Sequence, residues 1–334
     1  MPVAVRASDT VCPRWQRTAP EGIGPEPALQ SLIDAIARAT PGTDAQRLFH
    51  GRGGLHPDAT DWALDWYAPV WLVTRFGEAS DEDAQRIGEA LAARQAQLRP
   101  GEPLNWVFQR RQPDGPASRP LTTVMAGSVP EPHNVTEDGT TYRVHLLRGQ
   151  NHGLFLDMAE GRRWVRRHAA GRKVLNLFAY TCAFSVVALQ AGAKEVVNLD
   201  MAQGALATGQ LNHQINGIPG GARFLAHDLF TSWGKVNRLG PYGLVVVDPP
   251  SYQKGSFVAT KDYPRLLRRL PDLLLPGGLA LICLNAPEMP ESFLREALAR
   301  EAPVLEVEQR LPNPPAFADA SPDRALKVLV VRHP

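Results

Sequence analysis

The chain has 334 residues, 44% of them hydrophobic, with 36 Lys and Arg against 34 Asp and Glu. That is long for one domain and ample for a packed core, so two domains are expected, and the small positive balance permits a nucleic-acid partner without requiring one. The three cysteines, Cys12, Cys182 and Cys283, are far apart and odd in number, which excludes a disulfide framework or a metal-ligand spacing and predicts a reducing, cytoplasmic setting. No apolar run approaches the roughly 18 residues of a membrane span, and the first residues lack the apolar core of a signal peptide.

In chain order, residues 1–26 are rich in Pro, Gly and charge and read as a loose arm. From Pro27 onward, Leu29, Leu32, Ile33, Ile36 and Ala37 share one helical face. Residues 47–76 carry the aromatic and β-branched content of paired strands, with Gly51–Gly54 (G-R-G-G) as a turn. A phosphate loop is the sharper reading of those glycines, but no lysine and no helix start follows them. Residues 81–98 form a second helix, begun by Asp81, Glu82 and Asp83. A strand at 105–111 and a Pro/Gly-rich connector at 113–120 complete an N-terminal α+β domain over 27–120. Residues 121–160 are expected to be a β-hairpin connector turning at Glu137–Thr140. They end in G-Q-N-H-G-L-F-L-D-M (149–158). The run 161–173 holds Arg162, Arg163, Arg166, Arg167, Arg172 and Lys173, and it reads as a solvated helix face or as a phosphate-contacting one.

From Lys173, strand and helix patterns alternate. Strands are predicted at 173–178, 195–199, 223–227, 243–247 and 279–285, and helices near 183–191, 202–215, 262–275 and 290–300. This is a parallel sheet covered on both faces. Residues 304–310 and 325–332 have no helix between them and should pair antiparallel at the sheet edge. The expected fold class is therefore α/β: a Rossmann-like seven-stranded sheet over 161–334, preceded by the smaller α+β domain.

The stretch Val174–Val186 reads as strand, tight turn and helix start, the place where an open α/β sheet holds a cofactor. Three later strands end on acids, at Asp200, Asp228 and Asp248. The turn F-A-Y-T-C-A-F has no glycine, which argues against the pyrophosphate of a nicotinamide cofactor. S-adenosylmethionine (SAM) needs an acid for its ribose diol, an acceptor for its adenine amine and close backbone near its methionine part. Asp200, about 20 residues past the first turn, suits the ribose. Asp228 suits the adenine amine. Asn176, Phe178, Tyr180 and Thr181 sit beside the methionine part. No metal is implied, and the nine histidines are scattered.

The motifs G-Q-N-H-G-L-F-L-D, N-L-F-A-Y-T-C-A-F-S and V-D-P-P-S-Y, in that order along the chain, together resemble the bacterial large-subunit (23S) ribosomal RNA methyltransferase family over about residues 120–334. That family includes cytosine-C5 enzymes and the guanine-N7 domain of a fused enzyme. The resemblance implies a class I SAM-dependent methyltransferase acting on ribosomal RNA, with Gln150 and Asp157 lining the cofactor pocket. Asp248, Pro249, Pro250 and Tyr252 would then form the loop that holds the target base over the methyl group. The cytosine enzymes carry a nucleophilic cysteine about seven residues past the Gly-Gly of the fifth strand. Asn285 stands there, and Cys283 lies two residues earlier. Asn285 resembles the guanine-N7 branch, which is favoured because N7 needs neither nucleophile nor base. Cys182 departs from the family's usual glycine, and a side chain there would crowd the methionine carboxylate. A recognisable pseudouridine-synthase-like RNA module is lacking in the N-terminal part. Lys261–Tyr263, Arg265, Arg268 and Arg269 read as phosphate contacts or as plain surface. The alternatives are a small-metabolite methyltransferase and a non-catalytic RNA- or cofactor-binding relative.

Overall fold

The computed structural model describes residues 29–77, 79–111, 120–250, 252–253 and 257–334. The expected loose arm, Cys12 and the connector at 113–119 lie outside these described residues. Strands β1 (Gln46–His50), β2 (Trp62–Tyr67), β3 (Val70–Phe76), β4 (Asn105–Arg111) and β5 (Leu121–Ala126) form one sheet in that order. β3 and β4 run parallel because helix α2 (Asp81–Leu98) crosses between them, as a parallel connection requires. Ser80 starts that helix with a reciprocal capping box to Asp83. Helices α1 (Gln30–Arg38) and α2 cover the face that carries Trp62, Trp66, Trp71, Trp106 and Phe108. The opposite face sends Tyr67, Val70, Leu72 and Val107 into the core shared with the C-terminal half. The boundary expected at residue 120 needs correction: β5 pairs antiparallel with β4, so the first sheet continues to Ala126.

Strands β6 (His133–Glu137) and β7 (Thr140–Val144) form the predicted hairpin. A 3₁₀ turn at Leu156–Met158 leads into α3 (Ala159–His168). Then come β8 (Lys173–Leu177), α4 (Ala183–Gln190), β9 (Glu195–Asp200), α5 (Gln203–Ile215), β10 (Ala222–Ala226), α6 (Trp233–Leu239) and β11 (Tyr242–Val247). The chain continues through the two-residue strands β12 (Tyr252–Gln253) and β13 (Phe257–Val258), then α7 (Ala259–Leu267), α8 (Leu270–Leu273), β14 (Leu274–Leu284), α9 (Glu291–Glu301), β15 (Glu306–Arg310) and β16 (Lys327–Arg332).

The second sheet has the order β10-β9-β8-β11-β14-β16-β15. Five strands are parallel, and β16 inserts antiparallel between β14 and β15. Alternate residues feed two cores. Val174, Val196, Leu244 and Leu281 meet α3, α4 and the hairpin, whereas Leu175, Val197, Val245 and Ile282 meet α7 and α9. Every residue of β11 is buried, as expected for the strand at the centre of such a sheet. Strand order reverses between β8 and β11, which makes their carboxyl ends the ligand-binding edge.

The single helix predicted over 262–275 is also corrected. α7 begins at Ala259, and the chain breaks at Arg268–Arg269 because Pro271 cannot donate to a continuing helix and instead starts α8. A larger correction concerns the basic run, whose charges are used inside the protein. Arg162 is 3% exposed and gives Glu137 two hydrogen bonds of 2.6 Å. Arg163 pairs with Asp138 and Glu160, and Arg166 donates to Thr140 Oγ1. Arg172 donates to the Gly243 carbonyl, and Lys173 pairs with Glu195 at 2.9 Å. Arg167 is exposed. The run thus holds α3 to the hairpin and to the sheet edge. Arg265 and Arg268 are paired likewise, to Asp262 and Glu301, and Arg269 lies over the Trp233 ring at 5.9 Å.

Candidate active site

At the carboxyl end of β8 the chain must reverse within a few residues to start α4. Glycine would do this without strain. Here Phe178, Tyr180 and Cys182 adopt positive φ of 56°, 47° and 61°. Such conformations are costly for residues with a Cβ and persist only where their surroundings impose them, as they do at ligand-holding loops. The surroundings are explicit. Asp200, ending β9, accepts the Tyr180 N–H at 2.8 Å and the Ala202 N–H at 2.7 Å. Thr181 Oγ1 donates to the Gly153 carbonyl at 2.6 Å, and Tyr180 Oη donates to the Asn151 carbonyl at 3.2 Å. These bonds lay the segment Gln150–Asp157 across the turn. Asn212 Nδ2 on α5 holds the Thr181 carbonyl at 2.9 Å.

Cys182 does not crowd the turn. It is fully buried and points at α5, where a methyl group on Gly209 would come within 2.5 Å of its sulfur. It packs with Ala179 and Leu206, and burial holds its thiol well above the usual range. Gly209 makes the room that the missing glycine at 182 would otherwise have provided.

A cleft of about 120 Å³ opens beside the turn, lined by Gln150, Asp157, Tyr180, Arg47, Arg111 and Phe317 among others. Asp157 lines it, and Asp248, just past β11, lies near enough to feel the Asp157 charge. Burial first, then the nearby Asp157 carboxylate, push the Asp248 pKa up to about 7, while Arg162 and a hydrogen bond from Cys283 work the other way. Burial also raises Asp157, against the pull of Arg47 and Arg162. Asp248, its charge disfavoured by burial and by the neighbouring Asp157, would make with it a cradle suited to a cation. The Cys283 thiol beside them is fully buried and held well above its usual pKa by burial and by Asp248. Tyr263 donates its hydroxyl to the Cys283 carbonyl. Pro249 is buried next to Asp248, and Tyr252 pairs with Val258 in the short β12–β13 ladder. Asn285 is exposed just past β14. Beneath it, the buried Lys327 ammonium donates to the carbonyls of Ala286, Met289 and Asp323, each at 2.7 Å, and so fixes the loop.

Two of the expected cofactor residues have partners within the protein. Asn176 does not face the turn. Its amide donates to Asn198 at 2.9 Å in a buried network with Ser185 and His213, because its position in β8 alternates toward α4. Asp228 caps the 3₁₀ turn Leu229–Thr231 through Phe230 N–H at 2.6 Å. Thr181 is buried, with its hydroxyl engaged by Gly153. Phe178 sits edge-on to Phe257 at 5.4 Å. Met201, directly after Asp200, is 50% exposed. Sequence reasoning missed Phe155, whose ring meets Tyr180 at 5.3 Å, and Phe317, which arrives at the cleft from a distant loop. Among the described residues no cluster of three His, Cys, Asp or Glu is arranged to hold a metal, and no helix is long and apolar enough to cross a membrane.

Sheet order, strained turn and cleft are those of an open α/β fold that holds a nucleoside-bearing cofactor at its switch point. A family model described as S-adenosylmethionine-dependent methyltransferase matches residues 46–332, and the chain belongs to that family. It is 31% identical over 224 residues to ribosomal RNA large subunit methyltransferase I of Aeromonas salmonicida, covering 63% of this chain and 57% of that protein. It is 29% identical over 232 residues to ribosomal RNA large subunit methyltransferase K/L of Hahella chejuensis, covering 67% of this chain and 32% of that protein. The chain therefore spans less than two thirds of these curated relatives. A candidate methyltransferase crystallised with S-adenosylhomocysteine shares its fold, with a TM-score of 0.77 and 24% identity over 93% of this chain and 83% of that one.

The residues present suit SAM. The acid cradle matches a sulfonium, and each Asp200 oxygen keeps a lone pair beyond its backbone bond. Asp200→Ala is expected to weaken SAM binding at least about tenfold by calorimetry, since it removes a charge-assisted acceptor and frees the Tyr180 N–H. Unchanged affinity would remove Asp200 from the site.

Proposed function

We propose that the chain transfers a methyl group from SAM to a base of large-subunit ribosomal RNA, at guanine N7 rather than cytosine C5. The observation that carries this reading is the Asp157–Asp248 cradle at the switch point, beside a loop with a polar, exposed Asn285 and a buried thiol. Bound SAM supplies an electrophilic methyl on a cationic sulfur. Asp157 and Asp248 hold that charge, and Asp200 and the Tyr180–Cys182 turn orient the nucleoside and methionine ends. Asp228, with its second carboxylate oxygen, is assigned to the adenine amine, and Gln150 lies over the cleft. Pro249 and Pro250 stiffen the backbone whose carbonyls meet the target base, and Tyr252 follows them in the same loop. Guanine N7 carries a lone pair and no proton, so alignment suffices, and alignment can supply roughly 7–11 kcal/mol of a barrier. Asn285 orients the purine edge. Cytosine C5 would require a thiolate, and Cys283 is a poor source of one because burial and Asp248 both favour its protonated form. The packing of Cys182 against α5 removes the steric argument for a non-catalytic relative.

Incubation with labelled SAM and ribosomal RNA, followed by nucleoside analysis, tests the reading, and 7-methylguanosine is the expected product. Cys283→Ala should retain activity within about threefold, because one small buried side chain replaces another. Appearance of 5-methylcytidine, or loss of all activity in that variant with the fold intact, would restore the cytosine reading.

A further inference from the structure

The basic helix that the sequence offers to RNA has most of its charges engaged, and two further exposed arginines lie toward the mouth of the cleft. The G-R-G-G turn gains its purpose there. Gly53 lets the loop before β16 approach so closely that a methyl group at this position would lie 2.2 Å from the Ala318 carbonyl. Ala320 N–H donates to the Gly53 carbonyl at 2.7 Å. This docking brings Arg52 and Arg324 near each other, both exposed. Neither has an ion-pair partner among the described residues, and the nearby acid Asp61 pairs with Arg75 at 3.7 Å. Burial, then Arg47, lower the Arg52 pKa, and Arg324 adds to this against Asp61. Asp61, shared with Arg75, is the acid that partly offsets the Arg52 charge.

The same face carries planar groups. The Arg52 guanidinium lies over the Phe76 ring at 4.3 Å and that of Arg111 over the same ring at 5.3 Å. Arg47, itself paired with Asp65, lies over Phe317 at 4.7 Å. Two histidines register the positive field: burial with Arg47 and Arg52 holds His50 at about 4, and burial with Arg111 and Arg47 holds His152 at about 3. Arg47, Arg111 and Phe317 line the cleft that ends at Tyr180 and Asp157. Guanidinium and aromatic planes beside the exposed Arg52 and Arg324 suit an unpaired nucleic-acid strand, whose phosphates meet the charge and whose bases meet the planes.

We infer that the Gly51–Gly54 turn, through Arg52 together with Arg324, holds the backbone of the substrate RNA at the entrance to the methyl-transfer cleft. The inference rests on the RNA reading above and adds where the strand enters. Binding of the full chain to protein-free large-subunit ribosomal RNA, followed by fluorescence anisotropy over a salt series, tests it. The double variant Arg52→Gln/Arg324→Gln should bind about tenfold more weakly at physiological salt, with the slope of log affinity against log salt reduced by about 1–2. Its SAM affinity should be unchanged, which reports an intact fold. Arg167→Gln, on the basic helix, should alter RNA binding less than about twofold. A double variant that binds RNA like the wild type while the wild type still methylates RNA overturns this inference alone. A wild-type protein that binds SAM but no RNA, or that prefers an acidic peptide, overturns it together with the proposed substrate.

Discussion

Asp248→Asn is expected to slow methyl transfer by about a hundredfold or more, the usual cost of removing one preorganised charge from a water-poor site. The same change should stabilise the cofactor-free protein above neutral pH. An unfolded aspartate titrates near 3.8, whereas burial and Asp157 hold the folded Asp248 at about 7. A raised folded pKa favours the native state fully below the unfolded value, and that advantage is lost as pH climbs through the folded one. Wild-type melting temperature should therefore fall between about pH 4 and 7 from this group, and the asparagine variant should lack that component of the fall. SAM binding runs in the opposite direction: a cation favours the ionised acids, so affinity should rise as pH passes through about 7, by at most about tenfold per unit. Turnover within twofold of wild type, or superimposable melting curves from pH 5 to 8.5, would remove Asp248 from the charge cradle.

The second large effect concerns Glu137. Its removal by Glu137→Ala leaves the Arg162 guanidinium, 3% exposed, without its two 2.6 Å acceptors. Breaking a buried pair from one side costs about 3–5 kcal/mol, chiefly through the stranded charge. Urea unfolding should show a loss of that order. The double replacement Arg162→Met/Glu137→Leu should recover most of it, because it strands nothing. A second readout follows from position. Arg162 lowers the pKa of both Asp157 and Asp248, so the double variant should move the rise in SAM affinity to higher pH. Stability loss below about 1 kcal/mol would mean that the pair is effectively solvated.

The same pair shows why charge alone misled. A run of six basic residues at 161–173 looks identical in sequence whether it faces RNA or a partner strand. Its acids, Glu137 and Asp138, sit in a hairpin turn whose sequence signals only its shape. Only the docking of hairpin on helix joins the two. The helix at 81–98, the strand at 105–111 and the edge pair were readable because periodicity and capping act within a few residues.

What the sequence determined by itself is local and repetitive: the alternation of strands and helices after Lys173, the acids at their ends, and the placement of the V-L-N-L-F-A-Y-T-C-A-F turn at the binding edge. Tertiary structure alone decided which way those side chains point and what they meet. It turned Asn176 inward to Asn198 and packed Cys182 onto Gly209. It also set Asp157 against Asp248 and brought Phe317 and Arg324 to the G-R-G-G turn. Periodicity specifies a face, whereas a partner from far along the chain is specified by register and packing, which no short stretch encodes.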